Sequence, residues 1–599
     1  MKGKLKEKLL GRWLVYGLLA LFIGLGIVRM CVLFGSEKKL YHCDELYSYG
    51  LSNSFYRPFV ESNDVYAKEN DYIGEWYPAS LHRDYLTVGE GQQFRYDSVW
   101  YNQSCDRHPP LYYAVLHTLC SFYPGGFSFV TGFALNLVIF AVTQFFLFLL
   151  VRKVTGSQYA SLLAVGLWSL TSAAADITLF VRMYDMLTMW TVIFFWLHSG
   201  LTGLREKLTV KKLLPLTGIT ALGALTQHLF LFPAFVTAVC FCVYYAVNKK
   251  GRELLKYGCA VLSGVLLSFA VFPAGVGQLF SEGENAGGGM FLRQLEIAFR
   301  YFFLDVFSLS TSDLTWALYA VPPVLGILLI MSLPVLFLFR RSRFVTAAAG
   351  RLRSLPGRIS GASEKRPSLR GIKRLNPLPA AMALSAVTVI SITAYTVSFL
   401  NLYVNRYLFL IYPVGFVFLF YLVYRLLSLI PGKWTRGIGL TVLVALMAAN
   451  ILGNTIILGC WTKNNDISMK ETVSGSDVIL VLRNSNEYGT LSEYSYELYN
   501  ADEVFVTSDE DIAGDLKEID KRTSDKRLYI AINVRDSGKD EKGRYMCFER
   551  KNNDGSYGIK NIYEDEYFSE IKKLRNVCAV EYAGEYVFMK GRFEIYRLG

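Results

Sequence analysis

Two adjacent carboxylates, Asp44 and Glu45, stand in the stretch LYHCDELYSYG, directly after the first long apolar run of a 599-residue chain. A positioned carboxylate can take a proton from an attacking hydroxyl, and a second one beside it raises one of the two pKa values or helps to hold a cation. The other candidates lie far away in sequence. His108 opens HPPLYY, Arg182, Tyr184 and Asp185 fall within LFVRMYDMLTMW, and Arg406 and Tyr407 within NLYVNRYLFLIYP. A guanidinium presents a planar fork that matches phosphate oxygens. The chemistry on offer is proton abstraction beside anion binding.

Each candidate also has a plainer reading. Acids at the end of an apolar run are commonly solvated loop residues. Arg182 and Asp185, three apart on a helical face, reach one ligand or simply each other. Arg406 at a span end suits a side chain snorkelling to the headgroups. His42, Asp44, Glu45 and His108 offer ligands for a divalent cation, although their spacing matches no standard metal motif. Cys43 and Cys105 flank the acidic pair and His108, and a disulfide between them would pin the two motifs together.

The elements that must position these groups are membrane spans. The chain is 52% hydrophobic, has a mean hydropathy of +0.29 and is only 19% charged, too apolar for a soluble protein of this length. Apolar runs long enough to cross a bilayer are expected at 13–34, 127–151, 158–180, 183–201, 212–227, 229–247, 256–279, 315–339, 379–400, 406–429 and 436–459, eleven in all. The first is read as a retained span rather than a cleaved signal peptide, because it is too long and lacks a small-residue cleavage site. The net charge of +12 comes from basic residues gathered between these runs, which reflects topology and not a nucleic-acid surface. The stretch 340–374, within the loop 340–378, carries eleven Lys or Arg against one acid, Glu364, and reads as a cytoplasmic linker.

With the N-terminus inside, an odd number of spans leaves residues 35–126, residues 280–314 and everything after 460 outside. The acids, His108 and the two arginines then all fall at that outer face. HPPLYYAVLHTLC is too short to cross and is placed as an interfacial or re-entrant helix, with its prolines in the first turn. The first external loop is rich in Tyr and Trp, which suits sugar stacking and an interfacial belt equally. FSEGENAGGGMF (280–291) reads as a mobile outer loop that closes over a substrate. After residue 460, the strand-like runs DVILVL, EVFVTS and RLYIAINV alternate with polar helical stretches, the pattern of a small α/β domain without a nucleotide-binding signature.

In combination, DE after the first span, HPPLYY, R-x-Y-D and RYLFLIYP resemble the membrane-embedded GT-C glycosyltransferases, glycosyltransferase family 39-like, in the branch of protein O-mannosyltransferases and aminoarabinose transferases. The resemblance covers residues 1 to about 460 and is carried most by HPPLYY. It implies a polytopic α-helical membrane protein of GT-C type, with a membrane module over 1–459; the small extracytoplasmic α/β domain over 460–599 lies outside the resemblance and is read from its own strand and helix pattern. The resemblance implies transfer of a sugar from a polyprenyl-phosphate donor to a hydroxyl on a protein, lipid or glycan acceptor, usually with inversion, and no nucleic acid. Asp44 would be the catalytic acid-base group and Glu45 its assistant. His108, Arg182 and Arg406 would meet the donor phosphate, and Tyr184, Asp185 and Tyr407 the substrate. Any divalent cation would be held by Asp44, Glu45 and His108. A transporter or flippase of lipid-linked glycans would also want outward charges, but the chain shows no internal repeat and its charges sit at one face. A receptor with the spans as mere anchor is a third reading.

Overall fold

The computed structural model describes residues 2–38, 41–57, 72–203, 207–280, 291–309, 376–397, 404–454, 467–482, 491–508, 511–521, 527–534, 549–551, 557–559, 571–574, 577–588 and 591–599. The expected span 315–339, the basic stretch 340–374 and nearly all of the glycine-rich loop lie outside these residues. The chain forms two compact units that interleave along the sequence. One comprises Met1–Val32 with Asn136–Gly459, and the other Leu33–Leu135 with Cys460–Gly599. Residues 33–135 therefore group with the C-terminal segment rather than with the helices that follow them, which differs from a division drawn at residue 459 alone.

The first unit is helical, and the protein is a multi-pass membrane protein. Among the described residues seven helices are long and apolar enough to cross a bilayer: Trp13–Ser36, Phe129–Thr155, His228–Val247, Gly251–Val271, Leu378–Thr396, Val404–Leu427 and Trp434–Gly453. The expected run 158–180 is two helices, Gln158–Leu170 and Ser172–Leu179, bent by 62° and counting as an eighth span if taken together. Thr171 makes the break: its backbone is extended and its hydroxyl accepts the Ala174 N–H at 3.0 Å, capping the second helix. The Ser169 carbonyl released at the bend accepts Arg29 Nη1 at 3.0 Å, so a charge within the first span satisfies broken backbone. The expected runs 183–201 and 212–227 are helices Tyr184–Ser199 and Val210–Thr226, of 16 and 17 residues. At ~1.5 Å per residue these fall short of a ~30 Å hydrocarbon core, so the apolar count exceeds the count of full-length spans.

The second unit is built on a sheet. Its strands are β1 (Trp76–Pro78), β2 (Asp477–Leu482), β3 (Glu503–Ser508), β4 (Leu528–Val534), β7 (Val580–Phe588) and β8 (Gly591–Leu598), in the order β1-β3-β2-β4-β8-β7; β5 (Glu549–Lys551) and β6 (Tyr557–Ile559) pair separately. The three runs expected as strands are the central, parallel ones. DVILVL is buried at every position, as a strand covered on both faces must be. The helix Ile512–Asp520 lays Ile512 and Ile519 on Ile479, Val481, Phe505 and Ile530. β1 comes from the first loop and pairs antiparallel with β3, Trp76 opposite Phe505. Pro78 is tolerated there because β1 is an edge strand. At the other edge a bulge at Gly584 has φ +147°, and a Cβ would meet Ile467 at 2.8 Å.

Candidate active site

Within the second unit Asp44 and Glu45 belong to the first turn of the helix Cys43–Asn53. The helix is anchored along its inner face. Tyr49 Oη donates to the Ser128 carbonyl at 2.9 Å and accepts the Gly132 N–H at 2.9 Å, and Asn53 Nδ2 donates to the Leu86 carbonyl at 2.9 Å. Gly50 is required by close packing, since a Cβ there would stand 1.8 Å from the Tyr85 ring. The helix Leu111–Cys120, headed by Pro110 as N-cap, packs against it. Pro109 and Pro110 thus precede the first turn instead of lying within it.

The two acids have different surroundings. Glu45 is 1% exposed, and its Oε2 accepts the His42 N–H at 2.9 Å while its Oε1 pairs with the Lys38 ammonium. His42 completes a capping box, its Nδ1 accepting the Asp44 N–H at 3.0 Å. Both oxygens of Glu45 are engaged at the helix start, whereas the sequence reading expected it to assist at the acceptor or a cation. Asp44, one residue earlier, keeps 15% of its side chain exposed. Its Oδ1 lies 3.8 Å from His42 Nδ1, but a nitrogen accepting an N–H carries no proton, so this is not an ion pair.

His108 turns its Nδ1 to the Asp106 carboxylate at 2.6 Å, so Nε2 is the nitrogen not used in that bond. A cation held jointly by Asp44, Glu45 and His108 does not fit these bonds, because Glu45 is engaged with Lys38 and the cap. Among the described residues the ligand atoms that come together are those of His42, Cys43 and Asp44, all within 4.8 Å of one another. A nitrogen, a thiol and a carboxylate suit a zinc-like ion better than magnesium. The imidazole atom close to the other two is His42 Nδ1, 3.6 Å from Cys43 Sγ and 3.8 Å from Asp44 Oδ1, and it already accepts the Asp44 N–H. No disulfide joins Cys43 to Cys105; both are thiols, and burial raises that of Cys105.

Within the first unit the R-x-Y-D and RYLFLIYP segments meet. Arg182 lies in irregular backbone ahead of Met183, the N-cap of the helix Tyr184–Ser199, so the helical i,i+3 relation expected between Arg182 and Asp185 does not apply. No ion pair joins the two. Asn136 fixes this turn by donating to the carbonyls of Thr178 at 3.0 Å and Phe180 at 2.9 Å. Arg182, Tyr184 and Asp185 are 4%, 1% and 1% exposed, and Asp185 Oδ2 has no hydrogen-bond partner among the described residues. The segment Val404–Ile411 is a 3-10 helix. It brings Tyr407 edge-on to the Tyr184 ring at 6.0 Å, with the Arg406 guanidinium 5.0 Å from the Tyr407 ring.

Asp305 is a site residue that the sequence reading passed over. It is 1% exposed and its Oδ2 accepts Asn405 Nδ2 at 2.9 Å and Tyr412 Oη at 2.7 Å, clamping both ends of the 3-10 segment that carries Arg406. An acid inside the apolar run RYFFLDVFSL was the available signal. Nearby, Phe303, Phe307, Phe416, Phe420, Leu440, Val444 and Met447 line an apolar groove of about 550 Å³.

No protein-family model matches the chain, and no curated protein sequence matches it. Among solved structures the chain is similar to ArnT from Cupriavidus metallidurans in the apo state, at 11% sequence identity and a TM-score of 0.46, over 97% of this chain and 98% of that one. It is likewise similar to ArnT from the same organism bound to undecaprenyl phosphate, at 11% identity and a TM-score of 0.45 over the same shares of the two chains.

Proposed function

We propose that the protein is a membrane glycosyltransferase that moves a sugar from a polyprenyl-phosphate donor to an acceptor hydroxyl on a protein, lipid or glycan at the extracytoplasmic face. The observation that supports this reading is the packing of Tyr184, from R-x-Y-D, against Tyr407, from RYLFLIYP, inside one helical unit, from segments more than two hundred residues apart. Charged side chains in a membrane unit are costly and mark substrate or ion sites, and the planar guanidinium fork matches phosphate oxygens. The apolar groove in the same unit suits an isoprenoid chain.

In this mechanism Arg182 and Arg406 bind the donor phosphate and stabilise the charge that develops as the sugar–oxygen bond breaks. His108 assists at the phosphate through its Nε2. Asp44 takes the proton of the acceptor hydroxyl as that oxygen attacks the anomeric carbon, and a single displacement inverts the configuration. Tyr184, Asp185 and Tyr407 contact the sugar. Glu45 acts through Lys38 and His42, by fixing the turn from which Asp44 projects. The decisive test reconstitutes the full-length protein with polyprenyl-phosphate sugars extracted from the host membrane and follows the product by mass spectrometry. Transfer that Asp44→Asn abolishes is expected; movement of intact lipid-linked glycan across the bilayer without bond cleavage would favour a flippase instead.

A further inference from the structure

The C-terminal segment has no assigned part in the chemistry, yet its residues touch the helix of Asp44 and the segment just before it. Tyr47, three residues after Asp44, donates its hydroxyl to Glu493 Oε1 at 3.0 Å. Tyr41, three residues before it, stands edge-on to the Tyr496 ring at 5.9 Å, and Phe129 lies 5.4 Å from the same ring. Residues 44 and 47 share a helical face, so the Tyr47 bond acts on the side from which Asp44 projects. The touching segment is itself held firmly. Leu491, Tyr494 and Leu498 are buried, and Ser495 Oγ lies 3.1 Å from the buried His82 imidazole. Burial, and then the Glu493 carboxylate, push the Tyr47 phenol well above its usual range, which keeps its hydroxyl a donor.

We propose that Glu493 is a positioning residue for the transfer reaction: through Tyr47 it holds the first turn of the Cys43–Asn53 helix, so that the C-terminal segment sets where the Asp44 carboxylate stands. The proposal rests on reading Asp44 as the base. A helix end frays more readily than its interior, since its terminal backbone groups lack intrahelical partners, and here the His42 cap and Glu45 hold it locally. A charged acceptor bound to a tyrosine one turn along restrains that fraying without touching substrate.

The test uses full-length protein and two readouts. The first is the rate at which N-ethylmaleimide alkylates Cys43, resolved from the other cysteines by peptide mass spectrometry; Cys43 lies in the turn in question and its labelling needs no activity. The second is the kcat against KM split with polyprenyl-phosphate sugars extracted from the host membrane. Glu493→Ala is expected to speed Cys43 alkylation about tenfold, the loss of one charge-assisted hydrogen bond. It should lower kcat by about tenfold or more at unchanged donor KM, because a small displacement of a reacting group is felt in the chemical step. Glu493→Gln, which still offers a carbonyl oxygen to Tyr47, should restore both. Tyr47→Phe should match Glu493→Ala, and the double variant should be no worse than either single one. Unchanged Cys43 labelling in Glu493→Ala, or additive single effects, overturns the proposal. Faster labelling with unchanged kcat also overturns it. If Asp44→Asn then remains active, the reading of Asp44 as base falls with it, and if Asp44→Asn is inactive that reading stands.

Discussion

Lys38 and Glu45 form an ion pair that excludes solvent from both partners, at the foot of the helix whose first turn carries Asp44. A buried pair of this kind is weak evidence for net stability, but removing one partner strands a charge in a medium that solvates it poorly. Lys38→Met is therefore expected to destabilise the second unit by about 3–5 kcal/mol. A thermal unfolding curve in detergent reads the effect, and pairing it with Glu45→Gln should recover part of the loss. An unshifted midpoint in Lys38→Met would show that the pair does not hold the turn.

Asp44→Asn should behave in the opposite way, leaving the fold intact and stopping turnover. The Asp44 carboxylate takes no part in the capping box, which uses its backbone N–H, and it is partly exposed. Loss of a general base lowers the rate by roughly 10²–10⁴. An unaltered melting temperature with turnover below that level is the expected pair of results, and wild-type turnover in the purified variant removes Asp44 from the mechanism.

If the donor is a polyprenyl phosphate, Arg406→Ala is expected to weaken its binding more than binding of any acceptor. A hydrogen bond to a charged group contributes about 1.5–3 kcal/mol, so the dissociation constant should rise by about tenfold to a hundredfold. Arg406→Lys should recover only part of this, because an ammonium lacks the planar fork. Titration of the lipid into nanodisc-embedded protein measures it; equal affinity of the alanine variant contradicts the phosphate assignment.

Glu497 gives the second unit a pH dependence. Burial raises its carboxyl from an ordinary value of 4.5 to about 7, against the lowering by its hydrogen bond from Tyr586 Oη at 3.1 Å and by nearby Lys470. A raised acid binds its proton more tightly folded than unfolded, so its contribution is fully present below about pH 4.5 and is lost as pH rises through about 7. The amount at stake is on the order of 3 kcal/mol. Glu497→Gln should flatten this part of the stability profile between those limits, and an identical profile in the variant would assign the dependence to another group.

Cys578 is exposed in the C-terminal segment and offers a native probe of orientation. If that segment is extracytoplasmic, an impermeant maleimide added to intact cells should label Cys578, identified by its peptide mass. Labelling only after the membrane is opened would invert the proposed topology.

The sequence alone announced a membrane protein, because bilayer solvation leaves its mark residue by residue in long apolar runs. It also located β2, β3 and β4, since their β-branched and aromatic runs stand between polar stretches, and the helix Leu111–Cys120, whose prolines and length bound it. It could not separate Asp44 from Glu45. Side by side in one dipeptide, they differ only through what reaches them from elsewhere, Lys38 and the His42 cap for one and solvent for the other. Nor did it join Trp76 to Phe505, Tyr184 to Tyr407 or Tyr47 to Glu493. Hydropathy records how much water each position loses on folding. Which distant group replaces that water depends on how helices and strands pack, and this only the tertiary structure decided.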